Sequence, residues 1–278
     1  MSPDWLEVHR GTAPLLVSFP HTGTDLPAGL EGQFVSSWQA RRDADWWVDR
    51  LYDFAASLGA TTVRTRISRS VIDVNRDPSG ASLYPGQATT ELCPTTNFDG
   101  DPLYRDGCKP DDAEIARRTQ TYFMPYHDTL RLELERLRKA HAHVVLFEAH
   151  SIRSQIPRLF DGELPQFNLG TAGPSGAPDT SCDNALSDVV ENLLKISGMS
   201  HVRNGRFKGG WTTRHYGEPD RGLHAIQLEL ACRGYMDEPD HPTPDNWPTP
   251  YTEARAADLR AVLKDILNAA LTFARGAA

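Results

Sequence analysis

The most constraining feature of this sequence is the alternation of short apolar runs with longer segments of helical periodicity. Residues 14–20 (Pro-Leu-Leu-Val-Ser-Phe-Pro) and 143–149 are largely apolar, which is typical of strands buried on both faces. Between them, residues 111–140 repeat leucine on one face of a predicted helix. Strands that alternate with helices favour a mostly parallel or mixed central sheet covered by helices on both faces. We therefore predict an α/β fold.

The pattern predicts six strands and four helices. The strands are residues 14–20, 61–67, 70–74, 143–149, 200–206 and 224–231, where 61–67 and 70–74 are either two strands or one bent strand. The helices are residues 45–58, 111–140, 184–196 and 252–274. Gly59 should end the first helix, and Pro125 should break or kink the second. Residues 77–110 and 152–182 are long and rich in Gly and Pro, as are loops that cover a functional site.

Composition excludes several classes of protein. The chain has 278 residues without an internal repeat or linker, so we expect one catalytic domain over residues 1–278. A net charge of -8 without a basic run argues against nucleic-acid and membrane partners. The N-terminus lacks the features of a signal peptide, which predicts a cytoplasmic protein. The cysteines have no paired spacing and are expected to be free thiols: Cys93, Cys108, Cys182 and Cys232.

Polar residues accompany four of the predicted strands. His21 and His150 each end a strand, Asn75-Arg76 follow a third, and Glu229 lies within a fourth. Because the carboxyl ends of parallel strands meet at one edge of a sheet, these side chains can converge. Two histidines and a carboxylate are a common set of protein ligands in catalytic zinc sites. Each residue alone has a structural alternative, since such histidines are often loop residues and an Asn-Arg pair can cap a turn.

Six segments carry motifs that can be compared with known families. They are residues 18–23 (Ser-Phe-Pro-His-Thr-Gly), 43–46 (Asp-Ala-Asp-Trp), 68–76 (Ser-Arg-Ser-Val-Ile-Asp-Val-Asn-Arg), 148–154 (Glu-Ala-His-Ser-Ile-Arg-Ser), 204–217 and 227–230. Together they resemble the N-formylglutamate amidohydrolase family over most of the chain. That family is similar to zinc carboxypeptidases and aspartoacylases in strand order and site layout, so the resemblance implies a zinc-carboxypeptidase-like fold.

The resemblance implies hydrolysis of a small molecule, N-formyl-L-glutamate, to formate and L-glutamate, the last step of a histidine-degradation route. One divalent metal ion, expected to be zinc, is implied. Glu229 would be the general base and then the general acid, and Arg76 would help to stabilise the oxyanion. The alternatives are an amidohydrolase for another N-acyl amino acid, such as N-acyl aspartate, and a non-catalytic dicarboxylate-binding protein. The protein would be a monomer or a small homo-oligomer.

Two positions depart from the pattern of these families. Thr24 occupies the position where the carboxypeptidase pattern has a glutamate ligand, so the acidic ligand must come from elsewhere. We favour Asp45 over Asp43 and Asp25, although an aspartate just before a helix also serves as a cap. Glu148 stands where an aspartate is expected before Ala-His-Ser, which bears on the orientation of the histidine. The expected metal ligands are therefore His21, Asp45 and His150.

The implied substrate carries two carboxylates, which require cationic partners. Arginine is suited to this task because its planar fork binds a carboxylate through two parallel hydrogen bonds. Within the motifs, the residues expected to bind substrate are Asn75, Arg69, Arg153, Arg206 and Arg214. For each arginine alone, a surface salt bridge is the structural alternative.

Overall fold

A seven-stranded mixed sheet organises the computed structural model, which describes residues 3–81, 89–174 and 178–276. The strands are β1 (Leu6–His9), β2 (Leu15–Phe19), β3 (Thr61–Thr65), β4 (Val144–Ile152), β5 (Phe167–Gly170), β6 (His201–Arg203) and β7 (Leu223–Ala231). Their order across the sheet is β1-β3-β2-β4-β7-β5-β6. The central strands β3, β2, β4 and β7 are parallel, whereas β1 and β5 run antiparallel to β3 and β7. The predicted α/β class is confirmed.

Helices connect the strands and cover the sheet. They are α1 (Ala28–Glu31), α2 (Val48–Leu51), α3 (Asp112–Arg118), α4 (Met124–Arg138), α5 (Asn184–Ile196), α6 (Trp211–Tyr216) and α7 (Glu253–Ala274). Short 3₁₀ helices span Asp53–Leu58, Pro219–Arg221 and Cys232–Gly234. None of the helices in the described part of the chain combines the length and apolar character that a membrane span requires.

The core lies on both faces of the sheet because successive side chains of a strand point in opposite directions. Leu15 of β2 packs in one cluster with Leu186 of α5 and Leu263 of α7. Its neighbour Leu16 packs in the second cluster with Leu130 of α4. All five leucines are fully buried, and each such side chain contributes about 2 kcal/mol through removal of apolar surface from water. Helices therefore cover both faces, as the apolar strands predict.

The segment predicted as a strand at residues 70–74 forms tight turns, so this prediction is wrong. The Val71 N–H donates to the Ser68 carbonyl (2.9 Å), and the Asn75 N–H donates to Oδ1 of Asp73 (2.9 Å). Val71 and Val74 are buried in the core all the same. Their branched side chains reflect burial, which strands and packed turns share.

The helix predicted at residues 45–58 is also wrong in extent. It begins only after Trp47, whose backbone adopts φ 65°, and it changes to 3₁₀ geometry at Asp53. Gly59 ends it in the left-handed conformation (φ 77°), as predicted. Positive φ at Trp47 allows the chain to turn sharply between residue 45 and the helix.

Four short strands and α-helices have no counterpart in the predicted order. They are β1, α1, α6, and β5, which lies inside the predicted loop 152–182. Strands of four residues at or near a sheet edge carry too few side chains for a clear alternation. His150 is a further correction, since it lies within β4, which stays paired with β7 as far as Ile152.

The long helical segment before β4 is confirmed, and its irregular turn lies just before Pro125. Asp111 caps α3 by accepting from the Glu114 N–H (2.8 Å). A π-helical stretch, Thr119–Phe123, then joins α3 to α4 without a break. A proline lacks the N–H for the preceding turn and its ring crowds a carbonyl there, and the wider π turn accommodates both.

Candidate active site

Three buried side chains from separate elements form a potential metal site. His21 follows β2, Asp45 precedes α2 and His150 lies in β4, and one ligand atom of each lies within 4.8 Å of the others. Oδ2 of Asp45 is 3.1 Å from Nδ1 of His150 and 3.7 Å from Nδ1 of His21. The three predicted ligands therefore converge, although 129 residues separate the first from the last.

The hydrogen bonds of His21 test whether this group fits a metal. Nε2 lies 2.6 Å from Oδ1 of Asp73, to which it donates in the neutral ring. Nδ1 is buried and has no hydrogen-bond partner among the described residues. Burial, together with the charge of Arg69, lowers the pKa of His21 and keeps the ring neutral, the form that binds metals. One ring nitrogen is thus unpaired within the described chain and lies near the potential ligand atoms of Asp45 and His150, while the other is hydrogen-bonded to a carboxylate. This is the arrangement of a histidine metal ligand.

His150 lies among carboxylates. Nε2 is 3.2 Å from Nδ2 of Asn75 and 3.6 Å from Oε2 of Glu148. Burial by itself lowers the pKa of His150, but the hydrogen bonds to Asp45 and Glu148 and the charge of Glu229 outweigh it and raise the pKa to about 10. The acidic surroundings thus favour a positive charge at this position, and a divalent cation supplies one.

Asp45 is the acid that joins the group. Its Oδ2 accepts from the Ser151 N–H (3.1 Å), and its Oδ1 lies 3.4 Å from Nη1 of Arg69. Burial raises the pKa of Asp45, but the hydrogen bond from His150 and the neighbouring positive charges lower it below the usual range. Asp43 and Asp25 lie elsewhere: Asp43 accepts from the Phe98 N–H (2.6 Å), and Asp25 pairs with Arg66 (3.0 Å).

Asp73 is a residue of the site that the sequence reasoning missed. Oδ1 accepts from His21 and from the Asn75 N–H, while Oδ2 lies 2.8 Å from Nη2 of Arg69 and 3.4 Å from Nε of Arg76. Burial raises its pKa, but the interaction with His21 and the charges of Arg69 and Arg76 hold it well below the usual range. An aspartate within an apolar run was the available signal, because a buried carboxylate requires partners.

A cleft adjoins this group and brings together several predicted residues. His21, His150, Asn75 and Glu229 line it, together with three guanidinium groups, those of Arg69, Arg76 and Arg206. Thr90, Phe98, Phe207 and Gln227 are lining residues that the sequence reasoning did not single out. Cationic and apolar groups thus lie side by side around a buried polar centre.

Two predicted substrate residues lie outside the lining of the cleft. Nη2 of Arg153 pairs with Oδ2 of Asp99 (2.7 Å), and Nε of Arg214 donates to the Gly209 carbonyl (3.0 Å). Each therefore contacts a loop that reaches the cleft, since Phe98 and Gly210 both line it.

Glu229 lies on β7 directly opposite His150 of β4. Burial raises the pKa of its carboxyl group to about 7. Gln227 orients the carboxylate, because its Nε2 donates to Oε2 (3.2 Å) while its Oε1 accepts from the Gly210 N–H (2.8 Å). A carboxyl group with this pKa can accept and return a proton near neutral pH, which is what a general acid–base catalyst requires.

Comparisons with known proteins agree with this geometry. A family model described as N-formylglutamate amidohydrolase matches residues 13–236. The chain is 45% identical over 269 residues to a protein named N-formylglutamate deformylase from Pseudomonas putida, and 96% of each chain is covered. It is 46% identical over 271 residues to a protein of the same name from Pseudomonas aeruginosa, with 97% of each covered.

The fold also matches a solved structure. The crystal structure of N-formylglutamate amidohydrolase from Ralstonia eutropha superposes with a TM-score of 0.77 at 24% sequence identity, covering 98% of this chain and 99% of that one. The fold therefore agrees with that structure, and the sequence agrees with the two Pseudomonas relatives over nearly its whole length. This chain is a member of the N-formylglutamate amidohydrolase family.

Proposed function

We propose that this chain hydrolyses N-formyl-L-glutamate to formate and L-glutamate with a divalent metal ion, zinc, bound by His21, Asp45 and His150. The observation that carries the proposal is the buried group of these three side chains, in which Nδ1 of His21 lacks a partner among the described residues. The substrate is taken from the names of the two relatives, which are N-formylglutamate deformylases.

The metal ligands would be Nδ1 of His21, Nδ1 of His150 and Oδ2 of Asp45. A divalent ion bound by such a set lowers the pKa of water to about 7 and polarises a carbonyl oxygen. Asp73 keeps Nδ1 of His21 available by accepting the proton of Nε2 (2.6 Å). Zinc is favoured over magnesium and calcium because imidazole nitrogens are poor ligands for those two ions.

Glu229 would move the proton in the reaction. It would accept one proton from the attacking water as the water oxygen bonds to the formyl carbon. It would then deliver this proton to the amide nitrogen as the carbon–nitrogen bond breaks, so the carboxylate returns to its starting state. A pKa of about 7 suits both transfers, because proton affinity is then balanced near neutral pH.

The guanidinium groups of the cleft would bind the two substrate carboxylates. Arg69, Arg76 and Arg206 line it, and Nη2 of Arg76 donates to Oγ1 of Thr90 (3.0 Å), which holds that side chain against the wall. Arg76 would also donate to the oxyanion that develops on the formyl oxygen. Asn75 supports the same wall, since its Oδ1 accepts from the Thr212 N–H (2.9 Å) at the start of α6.

The decisive experiment measures formate release from N-formyl-L-glutamate before and after chelation, followed by addition of zinc. We expect chelation to abolish turnover and zinc to restore it, while magnesium, the matched control ion, leaves the protein inactive. Turnover that survives thorough metal removal would contradict the metal mechanism. Turnover of N-acetyl-L-aspartate by protein that leaves N-formyl-L-glutamate intact would contradict the proposed substrate.

A further inference from the structure

We infer that Phe98 and Phe207 are positioning residues for substrate specificity: each holds one arginine of the cleft in the orientation that binds a carboxylate of an N-acylated dicarboxylic amino acid. The inference deepens the proposed function and rests on it. It concerns how the cleft recognises its substrate, and neither phenylalanine is assigned a part in bond breaking.

Two arginine–phenylalanine pairs carry the inference. Cζ of Arg69 lies 4.8 Å from the ring centroid of Phe98, and Cζ of Arg206 lies 5.3 Å from the ring centroid of Phe207. All four residues line the same cleft. Both rings also belong to one small apolar cluster, in which Ile152 lines the cleft as well. Two of the three cleft arginines therefore each have an aromatic ring within cation–π distance.

An aromatic face favours carboxylate binding by an adjacent guanidinium group for two reasons. The ring attracts the cation and limits the orientations of its plane, so less conformational entropy is lost when a carboxylate binds. The apolar wall also keeps water from the ion pair, which strengthens its electrostatic attraction. A leucine at the same position would retain much of the apolar contact but would lack the π face.

The turn that carries Phe98 is itself anchored. Oδ2 of Asp43 accepts from the Phe98 N–H (2.6 Å), so the backbone of the ring-bearing residue is held directly. The next residue, Asp99, pairs with Arg153 (2.7 Å) and with Arg42. This gives Asp43 and Arg153 an effect on the cleft through the turn, although neither side chain lines it.

The backbone around Phe207 is anchored as well. The carbonyl of Lys208 accepts from the Ala172 N–H (2.6 Å), and Nε of Arg206 donates to the Leu159 carbonyl (2.9 Å). Gly209 follows with φ +105°, a backbone conformation that residues with a side chain rarely adopt. The chain turns there toward α6. The second ring is therefore also held in the wall of the cleft.

The test compares leucine and tyrosine substitutions with a matched control. Phe98→Leu and Phe207→Leu remove the aromatic face, and Phe98→Tyr retains it. Phe160→Leu is the control, because Phe160 belongs to the same cluster, with its ring 6.2 Å from that of Phe207, but does not line the cleft. For each variant, kcat and KM are measured with N-formyl-L-glutamate, and binding of L-glutamate is measured by calorimetry.

We expect each of the two cleft substitutions by leucine to raise KM and the Kd of L-glutamate by about five- to tenfold, the size of a partly buried cation–π interaction. The kcat value should stay within about twofold, and Phe98→Tyr and Phe160→Leu should resemble the parent. Thermal unfolding identifies any variant that fails to fold. Phe207→Leu, at a half-buried position, keeps the inference testable if Phe98→Leu is unstable.

Three results would overturn the inference: KM and Kd unchanged in both leucine variants, an equal rise in Phe160→Leu, or a fall in kcat without a change in KM. Failure of the proposed function is seen separately, as a parent protein that does not hydrolyse N-formyl-L-glutamate. In that case, calorimetric binding of L-glutamate to the parent and the variants alone tests the inference. Weaker binding of L-glutamate by the two cleft variants would support the inference, and equal binding, or no binding by the parent, would refute it.

Discussion

At the scale of single residues, Asp73 links the candidate metal site to the cationic wall of the cleft. One carboxylate oxygen accepts from His21, and the other lies near Arg69 and Arg76. A fully buried carboxylate is costly unless hydrogen bonds and charges compensate it, and these partners do so. The position of Asp73 therefore couples the orientation of a histidine ring to that of two guanidinium groups.

Asp73→Asn should weaken zinc binding by about 10–100-fold, because the amide is a poorer acceptor for Nε2 of His21. Competition with a chromophoric chelator measures the zinc affinity. Asp77→Asn is the matched control, since Asp77 lies in the next turn, is partly exposed and accepts from the Ser79 N–H (2.8 Å). An affinity equal to that of the parent would contradict the role assigned to Asp73.

Glu229→Gln should retain zinc at the parent stoichiometry while kcat falls by about 10²–10⁴-fold, the usual contribution of a general acid–base group. The amide has the shape of the carboxylate but cannot accept the proton of water. Metal analysis and formate release are measured on the same preparation. Activity close to that of the parent would exclude Glu229 as the base, and loss of zinc would place it among the ligands.

At the scale of elements, the helical segment from α3 to α4 supports the turns that carry Asp73. Nη1 of Arg118 donates to the Val71 carbonyl (2.9 Å), and Nε2 of His127 donates to the Val74 carbonyl (2.7 Å). The π turn lies between these two donors. The helix thus holds the backbone on both sides of Asp73, in a segment that is too irregular to hold itself by strand pairing.

His127 makes the stability of this arrangement dependent on pH. Burial lowers its pKa to about 3, from about 6.5 in the unfolded chain, so His127 is harder to protonate in the folded protein. The contribution of the neutral ring is complete above pH 6.5 and is lost as the pH falls from 6.5 towards 3. Between pH 7 and pH 5 the free energy of unfolding should therefore fall by about 2 kcal/mol more than in a non-titrating variant.

His127→Gln is that variant, because its amide N–H can still reach the Val74 carbonyl. Urea unfolding of metal-free protein at both pH values measures the difference, so that release of zinc makes no contribution. His9→Gln, at an exposed position of β1, is the control and should follow the parent. A parent and a His127→Gln protein that lose the same stability on acidification would show that His127 does not titrate as the structure implies.

At the scale of the whole molecule, sheet order brings the site together. The strands β3, β2, β4 and β7 are adjacent and parallel, so the segment after β3, His21 after β2, His150 of β4 and Glu229 of β7 meet at one end of the sheet. Parallel strands require long connections, and these supply Asp45 before α2 and the turn with Phe98. A chain with a net charge of -8 thereby gathers three arginines in one cleft.

The sequence by itself determined the α/β class, the long central strands and helices, and the three residues of the candidate metal group. It could do so because apolar periodicity and short motifs are properties of neighbouring residues. Only the tertiary structure decided that Asp73 supports His21, that Phe98 lies against Arg69, and that Arg153 lies outside the cleft lining and pairs with Asp99 in the turn that carries Phe98. Those contacts join residues that are distant in the chain, and their partners follow from packing and hydrogen bonding after the sheet has formed. For the same reason residues 70–74, β-branched but enclosed by turns, resembled a strand until their packing was known.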